Sequence, residues 1–175
     1  MLRLVSLLTT ELGDDHGPML EIGVGTGRIA APLVHAGIPV FGIDLSVAML
    51  GNLVAKHGPT LVPVALADAR HLPFPDDTFS NALAAHVFHL IPGWEAAVDE
   101  LVRVVRPGGR LLVSASGQGR GIFEELLEHM RRLLGDRANR PGLKDLGEMD
   151  TALRSRSARM RELLTFGGHW RMKPD

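Results

Sequence analysis

The ten residues Met19-Leu20-Glu21-Ile22-Gly23-Val24-Gly25-Thr26-Gly27-Arg28 constrain this chain more than any other stretch. A short apolar run, entered through Pro18, carries a carboxylate and then meets glycines at alternate positions. Apolar residues at helical spacing follow at once: Ile29, Ala30, Leu33 and Val34. The pattern predicts a strand, a tight turn and a helix N-terminus. Glycines in such a turn permit positive φ and let a ligand reach the main chain. The amides that open the helix lack partners within it and favour an anionic group.

Spacing narrows the ligand. Dinucleotide loops read G-x-G-x-x-G, whereas Gly23, Gly25 and Gly27 make G-x-G-x-G, and Arg28 stands where the third dinucleotide glycine would fall. Glu21 lies two residues before the first glycine. The segment resembles the first motif of the class I S-adenosylmethionine-dependent methyltransferases, (L/V)(D/E)hGxGxG. The competing reading is a glycine turn without a ligand.

At 175 residues the chain can form one domain with its own core. It has no cysteine, which excludes disulfides, thiolate metal sites and a cysteine nucleophile. No metal site is expected, because no third ligand accompanies the His86/His89 pair. The opening Leu2–Leu8 run is short, is followed by Glu11 and lacks a small-x-small cleavage site, so an amphipathic helix over Leu2–Leu12 is expected rather than a signal peptide. With no run long enough to span a membrane, a cytoplasmic location is expected. Charge is uneven: residues 1–102 hold 4 Lys/Arg against 11 Asp/Glu, and residues 103–175 hold 15 against 9. An acidic front half suits a cationic cofactor. The basic back half suits solvated helix faces or an anionic partner such as nucleic acid.

Taken in order, the chain alternates strands and helices. Strands are expected at Pro18–Ile22, Ile38–Ile43, Leu61–Leu66, Ser80–Ala85 and Leu111–Val113. A helix from Gly27 to His35 should bend at Pro32, which lacks a backbone donor. Ser46 caps a helix with apolar face Val47, Leu50, Leu53 and Val54. Pro63 places its strand at a sheet edge. Trp94, Ala97, Val98, Leu101, Val102 and Val105 mark a further helix, followed by a tight turn at Arg106-Pro107-Gly108-Gly109. Helices are also expected over Ile122–Leu134 and Glu148–Leu164, with a loop over 135–147 between them. This alternation argues for an α/β fold, doubly wound and mostly parallel, with helices on both faces. Ligands bind such sheets beyond the carboxyl ends of the strands. Glu21, Asp44, Asp68 and His86 all fall there.

Asp44 ends the second strand about twenty residues after the glycine loop, where nucleotide-binding α/β folds hold ribose hydroxyls. The methyltransferase resemblance implies the same role, with Leu45 against the adenine face. It implies that Asp68, in Ala67-Asp68-Ala69-Arg70, takes the adenine amino group and that the Ala69 amide meets a ring nitrogen. Leu72-Pro73-Phe74-Pro75-Asp76-Asp77-Thr78-Phe79 resembles the LPFPDxxFD segment of the subfamily related to ubiquinone and menaquinone methyltransferases (type 11), with Ser80 or Asn81 where aspartate is usual. His86 is expected to offer backbone to the methionine end of the cofactor, and His89 to face the acceptor as a base or pocket residue. Packing or surface histidines are the alternative for both.

The resemblance spans about Met19 to Ser114. It implies a Rossmann-like sheet of order 3-2-1-4-5, without a clear strand 6 or 7. Either the tail substitutes for those strands or the chain is a shortened form. Residues 1–116 would be the S-adenosyl-L-methionine-binding core. Residues 117–175 would be a helical segment of the same domain, either a cap on the acceptor site or a shortened C-terminal part. The implied function is methyl transfer to a small-molecule acceptor. The alternatives are an RNA methyltransferase, motivated by the arginines of 154–161, and a non-catalytic cofactor-binding module.

Overall fold

The computed structural model describes residues 2–13, 17–114, 141–143 and 146–156. The helix expected over Ile122–Leu134 lies outside these residues, as does most of the 135–147 loop. The described elements are α1 (Leu2–Leu12), β1 (Met19–Ile22), α2 (Ala30–His35), β2 (Val40–Asp44), α3 (Val47–His57), β3 (Val64–Leu66), β4 (Phe79–Ala85), a 3-10 turn (Phe88–Leu90), α4 (Trp94–Val104), β5 (Val105–Ser114) and α5 (Leu146–Ser155).

The strands form one sheet in the order β3-β2-β1-β4-β5, with every pair parallel. Ile22 at the end of β1 stands beside Ile43 of β2 on one side and Ala84 of β4 on the other. Side chains alternate between two apolar layers, as strand geometry demands. Leu20, Ile22, Ile43, Ala82 and Ala84 meet α4 and α5 through Val98, Leu101, Met149 and Leu153. Met19, Val40, Leu83 and Leu112 meet α1, α2 and α3 through Leu8, Leu12, Leu33 and Leu53. The fold is therefore the doubly wound α/β arrangement, with β1 and β4 at the point where strand order reverses.

Several expected boundaries shift, each for a local reason. Pro63 precedes β3 instead of lying inside it, and its carbonyl accepts from the Gly42 amide; β3 is the edge strand all the same. Helix α2 begins at Ala30, not Gly27. Pro32 thus falls in the first turn, where a missing N–H interrupts no helical hydrogen bond. Val47 and Val102 are exposed, at 69% and 42%, so the buried stripes of α3 and α4 are narrower than their apolar composition.

The expected turn at 106–109 is a bulge within β5. Phe79 pairs with Val105 and Asn81 with Arg110, so residues 106–109 loop out between the two registers. The Asn81 side-chain carbonyl accepts from the Arg110 amide at 2.9 Å. A Cβ on Gly109 would fall on the Ser80 carbonyl, which is why a glycine closes the bulge. The final helix, expected over Glu148–Leu164, is described as α5 from Leu146 to Ser155, and residues beyond 156 lie outside the described set.

Candidate functional site

The glycine turn after β1 is stitched to the neighbouring strands. The Val24 amide donates to the Ile43 carbonyl of β2, and the Gly25 amide donates to Asp44 Oδ2 at 2.9 Å. On the other side, a Cβ on Gly23 would fall on the Val87 side chain that follows β4. Gly23, Gly25 and Gly27 all have positive φ. Gly25 differs from its neighbours in one respect: nothing lies within 4 Å of where its Cβ would be. The loop therefore faces open space at its middle glycine, while close packing holds its flanks. That is a cradle a ligand can approach along the backbone and a side chain would obstruct.

Asp44 closes β2 beside this cradle. Its second oxygen, Oδ1, accepts from the Ser46 amide at 2.9 Å, and Ser46 Oγ in turn caps α3 by accepting from the Met49 amide. Asp44 thus organises both the turn and the helix start. A carboxylate has about four acceptor positions, so two remain for ligand hydroxyls. Leu45 is 66% exposed at the same sheet edge, which removes core packing as its role.

Asp68 and Ala69 follow β3. The Asp68 carboxylate accepts from Arg70 Nη2 at 2.7 Å, from Arg70 Nε and from the Arg70 amide. The Arg70 guanidinium holds Asp68 below the usual carboxylate range. Arg70 also reaches the Pro92 carbonyl, tying this loop to the one after β4. Ala69 is buried with Leu72 in the core layer. Asp68 is therefore already engaged by an arginine, a partner that sequence spacing alone did not suggest.

Two further side chains hold this loop in place and were missed from sequence. Glu100 Oε2 accepts from the Leu72 amide at 2.6 Å. Arg103 donates to Glu100, to the Leu72 and Phe74 carbonyls and to Asp76. Phe74 packs edge-on to Phe41 and Phe79. Leu72–Phe79 is therefore a structural strap, clamped to α4 and anchored in the aromatic core. The i,i+3 spacing of Glu100 and Arg103 was visible, but their partners 27–31 residues away were not.

Glu21 is buried at 3% exposure. Burial pushes its carboxyl up to about 8, against weaker opposing pulls from the Ala30 amide and the Arg28 guanidinium. The first amide of α2 is thus taken by Glu21, and Glu21 Oε2 has no hydrogen-bond partner. His86, just past β4, has φ +54, an uncommon conformation for a residue with a side chain. Partial desolvation, and then Arg28, hold its imidazole below the ordinary value. His89 sits half-buried in the 3-10 turn. The Phe88 and His89 carbonyls accept from the Leu143 and Gly142 amides, so the chain just before α5 borders this turn.

The structure thus brings Gly23, Gly25, Gly27, Asp44, Leu45, Asp68, Ala69 and His86 to one end of the sheet, with His89 on the side away from β3. Among the described residues no group of three or more metal-ligating side chains occurs, and no helix is long and apolar enough to cross a membrane.

Comparison with known proteins places this arrangement in context. The family described as "Methyltransferase domain" matches residues 20–113. A phosphatidylethanolamine N-methyltransferase of Cereibacter sphaeroides is 40% identical over 101 residues, 55% of this chain and 49% of that protein. A demethylmenaquinone methyltransferase of Streptomyces avermitilis is 34% identical over 95 residues, 54% of this chain and 40% of that protein. The chain spans about half the length of the curated relatives it matches. Among solved structures, a Thermotoga maritima protein described as a SAM-dependent methyltransferase, possible histamine N-methyltransferase, superposes with a TM-score of 0.68 at 26% identity. The superposition covers 88% of this chain and 69% of that one.

Proposed function

The chain belongs to the methyltransferase-domain family, and on that premise we propose that it binds S-adenosyl-L-methionine across the ends of β3, β2 and β1 and methylates a small-molecule acceptor. The observation that carries this reading is the cradle at Gly25, open at its centre and bounded by the Asp44 carboxylate. The residues present fit the cofactor. Asp68 and Leu45 suit adenine, Asp44 suits the ribose hydroxyls, and the backbone of Gly23–Gly27 and His86 suits the amino-acid end.

When bound, this cofactor supplies a methyl group on a positively charged sulfur. The protein's task is then alignment, which supplies roughly 7–11 kcal/mol in well-oriented cases. The strap clamped by Glu100 and Arg103 holds the adenine side. Gly23 against Val87 holds the β1 turn to the β4 loop, and His89 stands on the acceptor side. If the acceptor carries a proton, His89 takes it; otherwise it shapes the pocket. The relatives named for phosphatidylethanolamine and demethylmenaquinone support an amphiphilic acceptor.

The nucleic-acid reading loses its motive in the described part of the arginine-rich segment. Arg154 pairs with Asp150 at 2.9 Å and Arg156 with Asp99 at 2.5 Å, so neither offers a free charge. Arg159 and Arg161 lie outside the described residues.

The test has two steps. Calorimetry should show binding of S-adenosylhomocysteine, and methyl-labelled cofactor should then label a lipid fraction in preference to water-soluble metabolites or RNA. Absence of any binding would reject the cofactor. Binding without labelling of any fraction would favour the non-catalytic module.

A further inference from the structure

The turn that carries His89 is held at its backbone by a segment far along the chain. Within the 3-10 turn Phe88–Leu90, the Leu90 amide donates to the Val87 carbonyl at 2.8 Å and the Ile91 amide to the Phe88 carbonyl at 3.2 Å. Two further amides reach the turn from outside it. Gly142 donates to the His89 carbonyl at 3.2 Å, and Leu143 donates to the Phe88 carbonyl at 3.1 Å. Buried carbonyls need donors, and here a distant segment supplies them.

Gly142 crosses the turn backbone to backbone. A Cβ on it would fall on the Phe88 carbonyl oxygen, and would stand 2.6 Å from the Ile91 carbonyl oxygen and 3.0 Å from the His89 carbonyl carbon. All three neighbours are main-chain atoms, which cannot rotate aside as the end of a side chain does. Gly142 is not among the glycines with positive φ, so clearance, not backbone freedom, is what requires glycine here. Leu143 anchors the crossing: it is 6% exposed and belongs to the same apolar layer as Phe88, Ile91 and Trp94.

We propose that Gly142 is a positioning residue for methyl transfer: the 141–143 crossing seats the His89 turn and so fixes His89 on the acceptor side. The assignment of that turn to the acceptor rests on the function proposed above. The proposed nucleoside contacts lie after β2 and β3, whereas the crossing meets the turn after β4, so the two sides of the site have separate supports.

The test uses the full chain carrying Gly142→Ala, Leu143→Ala or, as a stability control, Leu12→Ala in α1, where the side chain is buried in the opposite apolar layer. In NMR of the histidine rings, the His89 signal is assigned by its loss in His89→Asn. That signal should be displaced in Gly142→Ala and displaced less in Leu143→Ala, which loosens the anchor but keeps the clearance. The signals of His35 and His57, at the ends of α2 and α3, should stay in place. Leu12→Ala should unfold at a lower temperature without moving the His89 signal. By calorimetry, Gly142→Ala should keep S-adenosylhomocysteine affinity within about twofold of the wild type, as expected for sites without shared partners. Its transfer of labelled methyl to a total lipid extract should fall roughly 100-fold, the loss that a displacement of about 1 Å can cause. If Gly142→Ala does not fold, Leu143→Ala carries the same comparison. An unmoved His89 signal in the folded variants, an equal displacement in Leu12→Ala, or cofactor affinity that falls in step with transfer would overturn the role of Gly142. If the wild type itself transfers no methyl group, the function proposed above fails, and the His89 signal still decides whether Gly142 seats the turn.

Discussion

Replacing Glu21 by glutamine should change how stability depends on pH. Burial raises the Glu21 carboxyl from 4.5 to about 8 in the folded chain. For an acid shifted upward, folding holds the proton more tightly than the unfolded chain does. Its contribution to stability is complete below pH 4.5 and is lost as the pH climbs through 8. At about 1.36 kcal/mol per pH unit, the shift amounts to about 5 kcal/mol at most, of which about 3 kcal/mol has gone by pH 7. Glutamine keeps a carbonyl for the Ala30 amide but has no proton to lose. The assay is urea unfolding followed by circular dichroism, from pH 5 to pH 9, on the wild type and Glu21→Gln. Subtracting one curve from the other cancels the groups the two proteins share. The variant should match or fall slightly below the wild type at pH 5, since its amide group meets the same lack of partners as Oε2. It should gain steadily on the wild type above that, by roughly 2–5 kcal/mol at pH 9. A difference that stays flat across the range would show that the Glu21 carboxyl is not desolvated in the folded chain.

Substitutions at three positions probe the proposed site. Asp44→Ala removes the acceptors offered to two ribose hydroxyls, and at roughly 1.5–3 kcal/mol for each hydrogen bond to a charged group, calorimetry should record at least a tenfold loss of cofactor affinity; unchanged affinity in a folded variant would reject the assignment. Gly25→Val places a branched side chain in the open cradle at φ +56, so binding should vanish while the circular dichroism spectrum stays close to native. His89→Ala should lower turnover by roughly 10²–10⁴-fold if the imidazole is the base, with cofactor affinity within a few fold. If His89 only shapes the pocket, His89→Asn should instead raise KM and spare kcat, and full activity in both variants would leave alignment alone as the mechanism.

Local signals carried the fold. Glycine spacing, apolar runs bounded by turns, the Ser46 cap and the position of Pro63 each depend on near neighbours in sequence. They sufficed for helix α1 at Leu2–Leu12, for five strands, and for the gathering of Gly25, Asp44, Asp68 and His86 at one end of the sheet, while the strand order 3-2-1-4-5 came from the family resemblance. The displaced boundaries also had local causes, but these were ambiguous in sequence: Arg106–Gly109 looks the same as a free turn or as a bulge until Asn81 and Ser80 are beside it.

What the tertiary structure alone decided are properties that come from distant partners or from loss of water. Arg103 holds the 72–76 strap from about thirty residues away, and Asp68 is already engaged by Arg70. Glu21 reads as an acidic residue in any sequence. Only enclosure between β1 and α2 makes it a neutral one near pH 7, because a low-dielectric surround penalises the charged form.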